Sequence, residues 1–191
     1  MRVMQFAEKP SIIVNVSCGG KLAASVAPWL QPSAPQHMPS APHKASPPAS
    51  RVVLDTNVVL DLWLFGDPRV AALRLALQTG RLSALVTAPL LAELADVLQR
   101  PFAVGWPAAA SEVQAALMAH ACLVAVPELA GPPAPRCTDP DDQKFIDLAW
   151  HTPAAWLISR DRAVLKLARP ALARGLQIVT PARWTALQPP G

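Results

Sequence analysis

Apolar and polar positions follow two different spacings after residue 50, and together they predict strands that alternate with helices. Short, nearly continuous apolar runs predict buried strands at 51–55, 82–87, 122–126, 155–159 and 177–179. Between them, apolar residues recur every three or four positions, which predicts helices near 69–78, 89–99, 108–120, 140–151 and 162–168. This alternation predicts an α/β fold with a mostly parallel sheet and helices on both of its faces.

The first 50 residues follow neither pattern. Seven prolines stand between Pro28 and Pro48, and proline at that density does not build helices or central strands. We therefore expect residues 1–50 to form an extended, disordered arm, with at most a short strand at 11–16. A secretory signal fits poorly because Asn15 and the following Cys-Gly-Gly break the apolar segment. An unstructured leader and a true translation start at Met38 both stay open.

Composition and charge narrow the function classes only slightly. The chain has 191 residues, of which 52% are hydrophobic and 16% charged, enough for one full core in a domain expected at 51–185, with a tail at 186–191. No apolar run approaches the roughly 20 residues that span a bilayer. Of the formal net charge of +4, residues 1–50 carry +3, so the charge of the domain does not argue for a nucleic-acid partner, although a local patch is not excluded.

The cysteines and histidines do not predict a zinc site. Cys18, Cys122 and Cys137 are an odd number of cysteines without metal-ligand spacing, which favours a reducing, cytoplasmic compartment with buried or free thiols. Cys122 lies in a predicted strand, and we expect it in the core. The four histidines form neither an HxxxH nor an HxxEH pattern.

Four acidic residues stand where predicted strands end or predicted helices begin. Asp55 closes the first strand and Asp161 follows the fourth, at the edge where open parallel sheets bind ligands. Glu93 lies at the border of the apolar face of its helix, whereas Asp96 faces solvent. Asp142 lines up with the apolar stripe of the next helix, so we expect it to face inward.

Each acid also has an ordinary structural explanation. Asp55 and Asp161 suit N-cap or Asx-turn positions, and Glu93 could reach solvent or pair with an arginine. Asp139 suits an N-cap with Pro140 at the first helical position, so it is expected either to cap this helix or to support Asp142.

Taken together, four carboxylates at one sheet edge indicate a divalent metal. Carboxylates are hard oxygen ligands that suit Mg²⁺ or Mn²⁺, and without a cation they would raise one another's pKa. Metal-assisted phosphodiester hydrolysis is the leading chemistry. The sequence contains neither GxGxxG, GxxxxGK[ST] nor GxSxG, which disfavours dinucleotide-dependent dehydrogenases, P-loop enzymes and serine hydrolases.

Four segments in this order resemble the PIN domain family. They are VLDTNV at 53–58, LAEL at 91–94, DPDDQKF at 139–145 and ISRD at 158–161. The resemblance covers about residues 51–185 and is closest to the branch of toxins from toxin–antitoxin systems. It implies a compact three-layer α/β/α sandwich and an acidic pocket that binds Mg²⁺ or Mn²⁺ and cleaves single-stranded RNA.

The resemblance also implies roles for individual residues and partners. The four motif acids, expected to bind the metal and catalyse, match Asp55, Glu93, Asp142 and Asp161. Ser159 matches a Ser or Thr that often precedes the last acid, and Asn57 matches the Asn beside the first. Toxins of this kind are typically inhibited by a cognate antitoxin protein and often form homodimers.

The positive residues next to these motifs and the overall function each keep alternatives. Lys144, Arg160 and Arg162 are candidate contacts for the RNA backbone, or else solvated surface charges. A catalytically silent module that binds RNA or a protein is the second candidate function, with the acids as caps and surface charges. Another metal-dependent phosphatase or nuclease on a similar sheet is the third.

Overall fold

The structure, a computed structural model, describes residues 49–101, 106, 110–129 and 131–188. The chain divides into two units, Met1–Lys44 and Ala45–Gly191, and the fold described below belongs to the second. The arm expected at 1–50, except its last two residues, lies outside the described residues, as do the strand expected at 11–16 and the end of the tail.

A five-stranded parallel sheet forms the centre of the domain. Its strands are β1 (Ser50–Leu54), β2 (Leu82–Val86), β3 (Ala121–Leu123), β4 (Trp156–Ile158) and β5 (Gln177–Val179). They lie in the order β3-β2-β1-β4-β5. Strands β2 and β3 therefore lie on one side of β1, and β4 and β5 lie on its other side. Open parallel sheets bind ligands at such a reversal, beside the carboxyl ends of the strands.

Helices cover both faces of this sheet and enclose two cores. They are α1 (Thr56–Trp63), α2 (Ala71–Gln78), α3 (Ala88–Leu98), α4 (Ala110–Met118), α5 (Gln143–His151), α6 (Arg162–Leu165), α7 (Ala168–Leu172) and α8 (Pro181–Ala186), with a 3₁₀ turn at Pro68–Val70. Val52 and Leu54 of β1 face the core shared with α1, α2 and Trp184. Val53 faces the opposite core, shared with α5 and α7. Because successive residues of β1 serve different cores, the expected α/β/α architecture is confirmed.

Helix α1 is the largest element that the periodicity does not predict. Asp55 is the single residue between β1 and α1, and its side chain caps α1, so no loop separates the strand from the helix. Six of the eight residues of α1 are buried, and a helix buried around most of its circumference lacks the spaced apolar stripe by which helices are recognised. The short helices α7 and α8 are also absent from the prediction.

Helix α5 begins at Gln143, three residues later than predicted. Asp139 does not cap it: the Asp139 carboxylate accepts a hydrogen bond from the backbone N–H of Asp141 at 3.0 Å, within the turn that precedes the helix. The side chain of Gln143 fixes this turn by accepting from the N–H of Cys137 at 2.7 Å. The expectation that Asp139 is the N-cap is therefore wrong, because a local Asx turn competes with the helical conformation.

Strand β3 is shorter and more exposed than predicted. It ends at Leu123 rather than 126 and lies at the edge of the sheet beside β2. Cys122 is exposed, so its expected core position is wrong, and of the two cysteines that the structure describes Cys137 is the buried one. An edge strand pairs with a neighbour on one side only, so its other side and the residues that follow it are open to solvent. In the described part of the chain, no helix is long and apolar enough to cross a membrane.

Candidate active site

Asp55 is a buried carboxylate at the carboxyl end of β1, with 3% of its surface exposed. Its Oδ1 accepts the N–H of Asn57 at 3.0 Å, which caps α1. Its Oδ2 accepts the hydroxyl of Ser159 at 2.5 Å. Burial raises the pKa of Asp55 above its ordinary value; these two hydrogen bonds lower it, and the charges of Asp161 and Glu93 raise it further.

Ser159 links Asp55 to Asp161 across the reversal between β1 and β4. The fully buried Ser159 hydroxyl donates to Asp55 and accepts the backbone N–H of Asp161 at 2.9 Å. Asp161 in turn caps α6, because its Oδ1 accepts the N–H of Ala163 at 2.5 Å. The structure thus combines the ordinary and the functional explanations of Asp55 and Asp161: each caps a helix, and the caps hold both carboxylates at the sheet edge.

Glu93 reaches the same edge from α3 and is held by two groups. Its Oε1 accepts the hydroxyl of Thr56 at 3.1 Å. Its Oε2 forms an ion pair with Lys144 Nζ at 2.5 Å, and both side chains are about one third exposed. The helical wheel therefore placed Glu93 correctly at the border of a buried face, and Asp96 is exposed as predicted.

Asp142 lies directly before α5 and is half-buried. Its pKa is raised to about 6, first by burial and then by the charges of Asp55, Asp161, Asp139 and Glu93. The expectation that Asp142 faces inward towards the other acids is consistent with this electrostatic contact. Asp139 itself is exposed and contributes its charge from the preceding turn.

The acids therefore form one electrostatic cluster, but not a closed coordination shell. Among the described residues, no three His, Cys, Asp or Glu side chains are arranged closely enough to hold a metal ion together. The donor set itself fits Mg²⁺ or Mn²⁺, since it consists of carboxylate oxygens whose mutual repulsion a cation would relieve. The roles of these residues as metal ligands and catalysts stay predictions.

A cavity of about 330 Å³ opens beside Asp161 and is lined by Asn57, Asp61, Phe65 and Arg160. Asp61, nine-tenths buried, accepts a hydrogen bond from Arg160 Nη1 at 2.6 Å. We call this space the acidic cavity. Its lining puts the predicted residues Asn57 and Arg160 beside Asp161.

Sequence reasoning missed Thr56 and Asp61, although each carried a signal. Both belong to α1, which the periodicity did not predict. Asp61 stands four residues after Asn57, one helical turn along the same face, and Thr56 follows Asp55 directly. Of the predicted RNA contacts, Lys144 and Arg160 each pair with an acid, whereas Arg162 is exposed; none of the three is tested as an RNA contact.

Comparison with known proteins identifies a family for most of the described domain. A family model described as PIN domain matches residues 51–163, the segment from β1 into α6 that contains all four predicted acids. No curated protein matches the chain.

The raised pKa of Asp142 predicts a pH-dependent effect of its neutralisation. Because the pKa of Asp142 rises from 3.8 to about 6 on folding, the folded state binds this proton more tightly than the unfolded state. The resulting contribution to the free energy of unfolding is fully present below pH 3.8 and is lost as the pH rises through about 6. In metal-free buffer, Asp142→Asn should therefore raise the melting temperature at pH 7.5 and change it little at pH 4.5. Thermal unfolding in EDTA measures both values, with Asp96→Asn as the exposed control. An equal effect of Asp142→Asn at both pH values would contradict the prediction.

Proposed function

The chain belongs to the PIN domain family, a family of nuclease type, and from that premise we propose that it is a metal-dependent ribonuclease that cleaves single-stranded RNA. The observation that carries the proposal is the electrostatic cluster of Asp55, Glu93, Asp142 and Asp161 at the reversal of the sheet. The neighbouring negative charges raise the pKa of Asp55 and of Asp142, and such repulsion at a ligand-binding edge favours a cation as the partner of these carboxylates.

Mg²⁺ or Mn²⁺ is the proposed cofactor, held by these four carboxylates. When bound, such an ion lowers the pKa of a coordinated water molecule and polarises a phosphoryl oxygen. The protein supplies orientation: Ser159 and the N–H of Asn57 fix the two oxygens of Asp55, and Thr56 fixes one oxygen of Glu93. Arg160 and the exposed Arg162 stand on the loop and helix start after β4, where they can contact RNA phosphates.

A catalytically silent module that binds RNA or a protein is the second candidate function. The ion pair between Lys144 and Glu93 favours it, because Lys144 already neutralises one of the four acids. The described residues also contain no preformed metal cluster. The following measurement separates the two functions.

Cleavage of a single-stranded RNA should require Mg²⁺ or Mn²⁺ and Asp55. Asp55→Asn keeps a good N-cap at this position but removes a charged ligand. We expect its cleavage rate to fall about 100-fold or more, since even outer-shell partners of metal ligands are worth 10–100-fold. Asp96→Asn, a matched change at an exposed acid, should keep the full rate. Equal rates for Asp55→Asn and the unchanged chain, or equal rates in EDTA and Mg²⁺, would contradict the proposed mechanism. A rate for the unchanged chain no higher than that without protein would support the silent module.

Lys144 should compete with the metal for Glu93. Lys144→Met removes the positive charge 2.5 Å from Glu93 Oε2 and keeps much of the apolar stem. The Mg²⁺ concentration needed for a given rise in melting temperature should then fall several-fold, because ligand binding to the folded state stabilises by mass action. Lys166→Met, at an exposed position, is the control. An unchanged Mg²⁺ requirement in Lys144→Met would show that Lys144 does not compete with the metal for Glu93.

We also propose that the protein is the toxin of a toxin–antitoxin pair, which acts in the cytoplasm and is inhibited by a cognate antitoxin protein, with a homodimer as its assembly. The support for this role is the resemblance of the four motifs to that branch of the family. Expression in a bacterial host should then arrest growth, and Asp55→Asn at the same expression level should not. Growth curves with immunoblots for expression test this. Arrest by both forms would contradict a role that depends on cleavage.

A further inference from the structure

Arg74, on α2, has two buried guanidinium nitrogens without a partner. Its Nε and Nη2 make no hydrogen bond within the part of the chain that the structure describes. A guanidinium stays charged at any ordinary pH, and buried N–H groups nearly always have acceptors. Arg74 is half-buried, and two of its nitrogens lack an acceptor, so an anion in the adjoining cavity would supply the missing partner.

The space beside Arg74 has aromatic walls. A cavity of about 430 Å³, which we call the aromatic pocket, is lined by Trp63, Phe65 and Trp106 together with Arg74 and Gln78. The rings of Phe65 and Trp106 meet edge to face, with centroids 4.7 Å apart. Trp106 is 44% exposed, so one large aromatic ring stands open to solvent. Aromatic faces bind nucleobases, and a guanidinium binds phosphate.

Phe65 connects this pocket to the candidate active site. Its side chain lines the aromatic pocket and also the acidic cavity beside Asp161. A ligand that extends from the acids past Phe65 would enter the aromatic pocket with its next units.

We infer that the aromatic pocket is a nucleotide subsite, in which Arg74 contacts a phosphate and Trp106 stacks on a base of single-stranded RNA that flanks the cleaved bond. This inference rests on the proposed function and extends it to a second contact region. An acidic peptide would also satisfy Arg74, but it offers no planar base to the open ring of Trp106. Its carboxylates would also approach Asp161 and Asp61 without a counterion.

Binding of a fluorescein-labelled single-stranded RNA of about ten residues to the full chain tests the subsite. Fluorescence anisotropy is measured in Mg²⁺, in the Asp55→Asn background, so that the RNA stays intact. Arg74→Met should weaken binding about tenfold and reduce the slope of log Kd against log salt by about 0.7, the value for one lost phosphate contact. Trp106→Ala should weaken binding about tenfold, since one base stack is lost, and leave the slope unchanged.

The controls use the same residue types at another place. Arg174 lies over the ring of Trp150 at 4.9 Å from its centroid, so Arg174→Met and Trp150→Ala should keep both the affinity and the slope. Arg74→Lys keeps the charge and should restore the slope. Circular dichroism checks that each variant folds. If Arg74→Met does not fold, the Trp106→Ala variant, changed at an exposed position, tests the subsite.

Three results would overturn the inference. If the parent binds RNA and the Arg74 and Trp106 variants bind equally well, the subsite is wrong while the proposed function stands. If the parent does not bind RNA, the subsite is wrong, and cleavage by the unchanged chain decides separately whether the proposed function stands. If a glutamate-rich peptide binds in an Arg74-dependent manner while RNA binding does not depend on Arg74, the pocket belongs to a protein partner.

Discussion

Negative charge held at one edge of the sheet is the constraint on which the candidate site depends. Asp55 is 3% exposed, and a carboxylate at that depth is costly unless hydrogen bonds or a cation compensate it. The hydroxyl of Ser159 and the N–H of Asn57 offset part of this cost because both donate hydrogen bonds to Asp55. It then adds the charges of Asp142, Asp161 and Glu93 nearby, which increases the repulsion. Stability alone does not explain such an arrangement, since apolar residues would fill the edge without repulsion.

The chain's own cations provide a second, weaker compensation. Lys144 pairs with Glu93 and Arg160 with Asp61, at 2.5 and 2.6 Å. Both cations are partly exposed, and ion pairs in contact with water contribute little net free energy. They can therefore exchange partners at small cost. Under the proposed function, a metal that displaced Lys144 from Glu93 would leave this lysine available to a phosphate of the substrate.

The sequence predicted the sheet and the position of the acids better than it predicted how they are held. Buried parallel strands are continuous apolar runs, and strand β5 was predicted to the residue. Wheel geometry placed Glu93 correctly because α3 has one buried stripe. Periodicity did not predict α1, because this helix is buried around most of its circumference. The capping preference of aspartate failed for Asp139, where a local turn replaces the cap. The partners of the acids, such as Thr56 and Lys144, depend on contacts between distant segments, and periodicity carries no information about those.

An acidic edge cannot attract a polyanion through the net charge of the domain, because residues 51–191 carry 13 basic and 12 acidic side chains. Recognition must then be local, with positive charge placed where the backbone of the substrate passes. Arg160 stands on one side of Phe65, within the acidic cavity, and Arg74 stands on the other, within the aromatic pocket. Arg160 is paired with Asp61, whereas Nε and Nη2 of Arg74 have no hydrogen-bond partner among the described residues. For the proposed RNA substrate, the aromatic pocket would offer a contact away from the acids, whereas the acidic edge repels a phosphate unless a cation compensates the carboxylates.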